Sequence, residues 1–263
     1  MPPLAAAAAG CHHPAVTWVL DLDGVVWLDD RPIDGAAAAV ERLRAAGERV
    51  LFATNNSWAP LAAQEAKLAR LGIPAAGDVV TSAMAAARLV EAGERVLVCG
   101  GPGITEALAD RGAVPVREGD AAAVVVGFHR DFDYERLRVA ARAVERGARL
   151  LATNDDATYP TPDGPIPGGG AIAAAVAYAT GAVPVVAGKP HQPMADLVRG
   201  LGGGGGTVVG DRPETDGAFA VALGYRFALV LSGVTGAGDL PVTPPPHVVA
   251  PSLAALVAGA VRQ

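Results

Sequence analysis

The chain has 263 residues, of which 51% are apolar and 18% charged; this excludes a disordered protein and suffices for one large α/β domain or two modest ones. A formal net charge of −6 gives no basic footprint for nucleic acid. The two cysteines, Cys11 and Cys99, stand far apart, which argues against a disulfide scaffold and for a reducing, cytoplasmic setting.

The opening "MPPLAAAAAGC" has no Lys or Arg before a short apolar run and reads as an Ala-rich tail, not a signal peptide. Cys11, His12 and His13 lack further ligands nearby and are not read as a metal site. Apolar runs are broken by Gly, Pro and charges within 18 residues, so no membrane span is expected. "TWVLDLD" then predicts a strand, "VWLDDRPI" a short hairpin in which Trp27 packs, and "GAAAAVERLRAAG" a helix with Val40 and Leu43 on its buried face and Gly47 as its stop. "RVLFATNN" predicts a second strand and "PLAAQEAKLARLG" a second helix ending at Gly72. This rhythm predicts a parallel sheet with right-handed crossovers.

The middle of the chain repeats the theme. "RVLVCG", "AAVVVGF" and "RLLATN" predict buried strands, with helices at "GITEALADRG" and "DYERLRVAARAVERG". "CGGPGITEAL" lacks the third glycine of a dinucleotide fingerprint and reads as a tight strand-to-helix turn. A Pro- and Gly-rich loop, "DDATYPTPDGPIPGGG", leads into the helix "AIAAAVAYATG". The run Gly202 to Gly206 is expected to be a turn between a helix and the strand "TVVGD", with "RFALVLSG" as another strand.

In open parallel sheets, ligands bind beyond the carboxyl ends of the strands. Three predicted strands end in polar residues: Asp21 and Asp23 after the first, Thr54, Asn55 and Asn56 after the second, and Asp211 after "TVVG", with Asp216 five residues on. Residues two apart on an extended segment point the same way, so Asp21 and Asp23 can address one centre. With Asp211 they form a cluster that repels itself unless a cation sits there, and Mg²⁺ prefers carboxylates, water and a substrate phosphate.

The strings "DLDG", "TNNS", "GKP" and "GDRPETD", in that order, resemble the four motifs of the haloacid dehalogenase (HAD) superfamily. The "GVVW" tail, the "TNNS" form and the "GDRPETD" spacing are similar to its NagD-like, p-nitrophenyl phosphatase branch, and the match runs from about Trp18 to Thr235. The resemblance implies a Rossmann-like parallel-sheet α/β core with an inserted α/β cap. It implies Asp21 as nucleophile forming an aspartyl-phosphate and Asp23 as general acid and base. It implies Thr54 and Lys189 as phosphate-binding residues, and Mg²⁺ held by Asp21, Asp23 (through its carbonyl) and Asp211. Asp216 is expected to orient water or Lys189. Asn55 is a candidate phosphate contact and equally a turn residue.

More than 100 residues separate Thr54 from Lys189, too many for a connection. The expected division is a core of residues 1–77 and 183–263 with a cap over 78–182. Asn154, Asp155 and Asp156 are candidates for substrate contact or turn chemistry, and His129 stands where the branch often has an acid. The expected activity is Mg²⁺-dependent hydrolysis of small phosphomonoesters, such as sugar, glycerol or nucleotide phosphates, by a protein that binds neither nucleic acid nor membrane; a homo-oligomer formed through the cap stays open. Two alternatives are a non-catalytic regulatory protein keeping the fold and a sugar phosphomutase. The latter usually carries its cap between the first two motifs, where only 30 residues separate Asp23 from Thr54 here.

Overall fold

Parallel strands covered on both faces need continuous apolar runs, and those read in the sequence form two such sheets. The structure, a computed structural model, describes residues 16–29, 31–159, 161 and 163–260. The tail with Cys11, His12 and His13 lies outside the described residues, as does Asp30 of the hairpin.

The larger sheet has six parallel strands in the order Val248–Ala250, Arg226–Val230, Gly206–Gly210, Thr17–Leu20, Arg49–Thr54, Val79–Thr81. Thr17–Leu20 is central: Val19 faces Leu51 and Val208 in register, and Leu20 faces Phe52 and Val209. The smaller sheet has five parallel strands in the order Val185–Val186, Arg149–Ala152, Ala123–Val126, Arg95–Cys99, Val114–Val116. Helix Ala36–Ala45 buries Ala36, Ala39, Val40 and Leu43, the i, i+3, i+4, i+7 stripe of an amphipathic helix, and the chain leaves it through Gly47 at φ 82°. Helix Tyr134–Glu145 is capped by Asp133, whose carboxylate accepts from the Arg136 amide at 2.8 Å. The hairpin forms as expected, Trp27–Leu28 pairing antiparallel with Arg31–Pro32. Helix Gln192–Gly202 precedes strand Gly206–Gly210, so the glycine run joins a helix to a strand.

Sheet pairing departs from the expected boundaries at both edges. Residue 78 was expected to begin the inserted unit, yet Val79–Thr81 pairs with Phe52–Thr54 in the larger sheet. Residue 182 was expected to end it, yet Val185–Val186 pairs with Leu151–Ala152 in the smaller one. Both are two- or three-residue edge strands, too short to show a period. One apolar cluster runs from the larger sheet (Val19, Leu51, Val208) to the smaller (Val96, Val125, Leu151). The glycines of "GGPG" belong to this junction. A Cβ on Gly101 would lie 2.6 Å from the Trp58 ring and one on Gly103 would lie 2.4 Å from the Ala59 carbonyl, so close backbone approach explains them. Among the described residues no helix is long and apolar enough to cross a membrane.

Candidate active site

The strand Thr17–Leu20 stops and turns sharply just where its acids begin. The Asp21 amide still donates to the Val209 carbonyl at 2.9 Å, after which the amides of Val25, Val26 and Trp27 all reach back to the Leu22 carbonyl. Gly24 makes this turn at φ 80°, and a Cβ there would sit 2.4 Å from Asp211 Oδ2. The glycine of "DLDG" therefore lets two acid-bearing segments meet. Trp27 is 2% exposed, and its indole N–H donates to Asp23 Oδ1 at 3.0 Å. It packs, as expected, and also holds an acid.

Lys189 reaches the same point from the segment after the smaller sheet's last strand. Its Nζ lies 2.9 Å from Asp21 Oδ1 and 2.8 Å from Asp216 Oδ1. Asp216 is committed at both oxygens, the second accepting from the Arg212 amide at 3.2 Å. Asp211 Oδ2 accepts from the Val234 amide at 2.6 Å. Oxygens of Asp21, Asp211 and Asp216 all lie within 4.8 Å of one another. Three carboxylates against one ammonium leave the cluster anionic, and an all-oxygen donor set suits a hard divalent cation such as Mg²⁺. The commitments of Asp216 leave Asp21 and Asp211 as the carboxylates with oxygens to offer; the Asp23 side chain faces Trp27.

The electrostatics follow from this crowding. Burial pushes Asp21 well above the usual carboxylate range; Lys189 pulls it back, while Asp216, Asp211 and Asp23 push it further up. Burial raises Asp23 as well, against the Trp27 hydrogen bond. Asp211 rises to about 6 through burial and the charge of Asp216. Burial alone would lower Lys189, but Asp21 and Asp216 more than offset it and hold the ammonium above its ordinary value.

These groups open into a cleft between the two sheets that is partly open to solvent. Thr54, 2% exposed, lines it, and its Oγ1 accepts from the Asn56 amide at 3.0 Å. The far wall comes from the inserted unit: Phe128, Asn154, Asp156, Thr158 and Tyr159. Phe128 stacks on Tyr159 at 5.3 Å and meets Trp58 edge-on at 6.3 Å. Arg212 and Thr215 also line the cleft, and neither was singled out in the sequence although both stand inside "GDRPETD". Tyr159 and Phe128 carried no sequence signal beyond their loops.

Several expected cap contacts are placed differently. His129 is buried at 3% exposure, away from the cleft lining, with Nδ1 3.1 Å from Asp131 and Nε2 3.7 Å from Cys99 Sγ. Asp155 is exposed and pairs with His191 at 2.9 Å, outside the cleft lining. Asn154 does line the cleft, but its Oδ1 accepts from the Asp156 amide at 3.2 Å, which is turn chemistry, and its Nδ2 donates to the Asn55 carbonyl at 2.8 Å, a contact across the chain. Asp156 is the acid of this loop that borders the cleft. Asn55 also lines it, with both amide ends engaged by protein groups.

The His129 placement makes a prediction. Burial holds the imidazole below its usual value, against the pull of Asp131. A base with a depressed folded pKa favours its neutral form, so its contribution to stability is full above about pH 6.5 and is lost as pH falls through the folded value. His129→Asp buries an unpaired acid beside the exposed carboxylate of Asp131 and should cost about 3 kcal/mol, a drop of roughly 6–12 °C in Tm. The ranking among phosphate esters should stay as in the wild type. Thermal melts and a substrate panel check this, and a changed ranking at unchanged Tm would contradict the placement.

Residues 18–114 match a family model described as haloacid dehalogenase-like hydrolase, and residues 186–256 match a second, HAD-hydrolase-like model. The D-glycerol 3-phosphate phosphatase of Mycobacterium tuberculosis is 39% identical over 229 residues, covering 84% of this chain; the chain spans 64% of that relative's length. The solved p-nitrophenyl phosphatase from Archaeoglobus fulgidus superposes with a TM-score of 0.87 at 31% identity, over 94% of this chain and 100% of its own. A glycerol phosphate phosphatase from Mycobacterium tuberculosis in complex with magnesium superposes with a TM-score of 0.85 at 36% identity, over 92% of this chain and 76% of its own.

Proposed function

The chain belongs to the haloacid dehalogenase-like hydrolase family, and from that premise we propose that it is a Mg²⁺-dependent phosphatase of small phosphomonoesters working through an aspartyl-phosphate on Asp21. The observation that carries the reading is the Lys189 ammonium shared between Asp21 and Asp216 beside Asp211. An ammonium there favours the ionised form of Asp21 that burial opposes, and it offers charge to phosphoryl oxygens.

A phosphoryl group entering the cleft meets Asp21 on one side, with Thr54 and Lys189 lining its path. The Asp21 carboxylate attacks phosphorus while the ester P–O bond breaks, and Asp23 delivers its proton to the leaving oxygen. Burial raises Asp23, which suits a group that must hold a proton near neutral pH. Asp23 then takes a proton from the water that attacks phosphorus, releasing inorganic phosphate and restoring Asp21. Asp21, the Asp23 carbonyl and Asp211 would hold Mg²⁺, which supplies positive charge for the developing negative charge on the phosphoryl oxygens.

In this reading the larger sheet is the core and the inserted unit is the cap, with Phe128, Asp156 and Tyr159 roofing the reacting group. Such a roof favours compact leaving groups, because only they let the cleft shut and exclude water. The test is a panel of sugar, glycerol and nucleotide phosphates beside a phosphopeptide and a 5′-phosphorylated oligonucleotide, read as phosphate released in Mg²⁺. The best metabolite should exceed the phosphopeptide by at least about 100-fold in kcat/KM. A phosphopeptide or oligonucleotide ahead of every metabolite overturns the substrate class, and no turnover of any ester favours the non-catalytic alternative.

A further inference from the structure

Asn55 was expected either to touch phosphate or to make a turn, and its hydrogen bonds suit neither. Its Oδ1 accepts from the Lys189 amide at 2.8 Å, and its Nδ2 donates to the Lys189 carbonyl at 3.0 Å. The side-chain amide thus pairs with both backbone groups of one residue, as a neighbouring strand would. Pairing on both sides of one Cα fixes the two peptide planes, and with them the direction in which the lysine side chain leaves. The approach is close enough that a Cβ on Gly188 would lie 2.5 Å from Asn55 Oδ1, which accounts for the glycine of "GKP".

The second N–H of the same Nδ2 donates to Asp156 Oδ2 at 3.0 Å. Asp156 belongs to the loop after strand Arg149–Ala152 of the inserted unit, and the same loop returns a second bond, from Asn154 Nδ2 to the Asn55 carbonyl at 2.8 Å. Ser82 Oγ holds that carbonyl as well, at 2.8 Å. With two N–H donors and three partners engaged, the Asn55 side chain has no donor left over for a phosphate.

We propose that Asn55 is a positioning residue for Lys189: it sets the lysine backbone, and its bond to Asp156 ties that setting to the seating of the inserted unit's loop. The inference rests on the phosphatase reading for what Lys189 does, but the juxtaposition of Asn55, Asp156 and Lys189 stands without it. An amide acting only through Lys189 should be silent once Lys189 is gone, whereas a direct phosphate ligand should not.

The experiment is a double-mutant cycle over Asn55→Ala, Lys189→Met and the pair, read both as tungstate affinity by calorimetry in Mg²⁺ and as kcat and KM for p-nitrophenyl phosphate, with thermal melts on each variant. Asn55→Ala should weaken tungstate binding and lower kcat/KM by about 30-fold, the scale of losing its two hydrogen bonds to the Lys189 backbone. In the Lys189→Met background it should change tungstate affinity by less than about twofold. Equal losses in both backgrounds would mean that Asn55 meets the anion itself and would overturn the proposal. A second arm tests the tie to the loop and needs no lysine variant. Asn55→Asp opposes two carboxylates, and Asn55→Asp with Asp156→Asn rebuilds the bond with its polarity reversed. The pair should recover at least about fivefold of the activity and tungstate affinity lost in Asn55→Asp; no recovery overturns the tie. A wild type that binds tungstate but hydrolyses no ester defeats the phosphatase reading and leaves the cycle readable in affinities. A wild type that does neither defeats both.

Discussion

Asp21→Asn is expected to yield a folded protein whose release of phosphate from p-nitrophenyl phosphate falls by at least about a thousandfold, the scale seen when a nucleophile is removed. The substitution keeps size and shape and removes the attacking carboxylate. It should be tolerated structurally for reasons visible at the site. Burial already disfavours the charged form of Asp21, so a neutral amide relieves part of that cost. Lys189 keeps its partner Asp216 at 2.8 Å, so no ammonium is stranded. The Oδ1 that accepts from the Leu22 amide at 2.7 Å survives as the amide oxygen of Asn. Tm should therefore change little while turnover disappears. Asp23→Asn should behave differently, losing most with poor leaving groups and least with p-nitrophenol, which leaves without help from an acid. Melts, phosphate release and a leaving-group series check all three statements; an Asp21→Asn protein turning over near the wild-type rate would remove the nucleophile assignment.

The larger sheet and its chemistry were legible because both depend on local chain properties. A strand buried on both faces shows as an unbroken apolar run, and a charge forced to its end stands out against it, which is why Asp21, Asp23 and Asp211 can be named from their places at strand ends; with Lys189, which the resemblance supplies, they line one cleft. What could not be read was set by long-range pairing. Val79–Thr81 and Val185–Val186 belong to opposite sheets for reasons that lie in their partners, not in their own two or three residues. His129 illustrates the same limit. A histidine beside Arg130 and Asp131 reads as a loop residue, yet Cys99, thirty positions away, and Phe132 enclose it. Arg212 gives a weaker sequence signal than the acids on either side of it in "GDRPETD", although its position between them places it at the cleft. Asn55 shows a different gap: it stands out in the sequence at a strand end, but its partners, Asp156 and Lys189, lie more than 100 positions away in sequence.

Removing the divalent cation should abolish turnover and also leave a signature in stability that needs no substrate. Asp211 is raised to about 6 and Asp21 is raised well above the usual carboxylate range, burial being the leading cause for both. An acid whose folded pKa exceeds its unfolded value favours the fold most when protonated. Its contribution is full below the unfolded value near 3.8 and is lost as pH rises through the folded value. In EDTA, the Tm contribution of this cluster should therefore fall as pH is raised from about 4 through about 6 to neutrality, while Lys189 stays charged throughout. Saturating Mg²⁺ binds the ionised carboxylates, so it should restore Tm chiefly at neutral pH and little at pH 4, by about 2.7 kcal/mol at one hundred times its Kd. Turnover should vanish in EDTA and return with excess Mg²⁺. Ca²⁺ should raise Tm but restore turnover poorly, since its longer bonds and larger coordination number misplace the phosphoryl group. Asp211→Asn should remove the Mg²⁺-dependent part of the Tm rise together with activity, because it takes away one of the two carboxylates left with oxygens to offer. Full turnover in metal-free protein, or a Tm that Mg²⁺ raises equally at pH 4 and pH 7, would contradict a cation held by these acids.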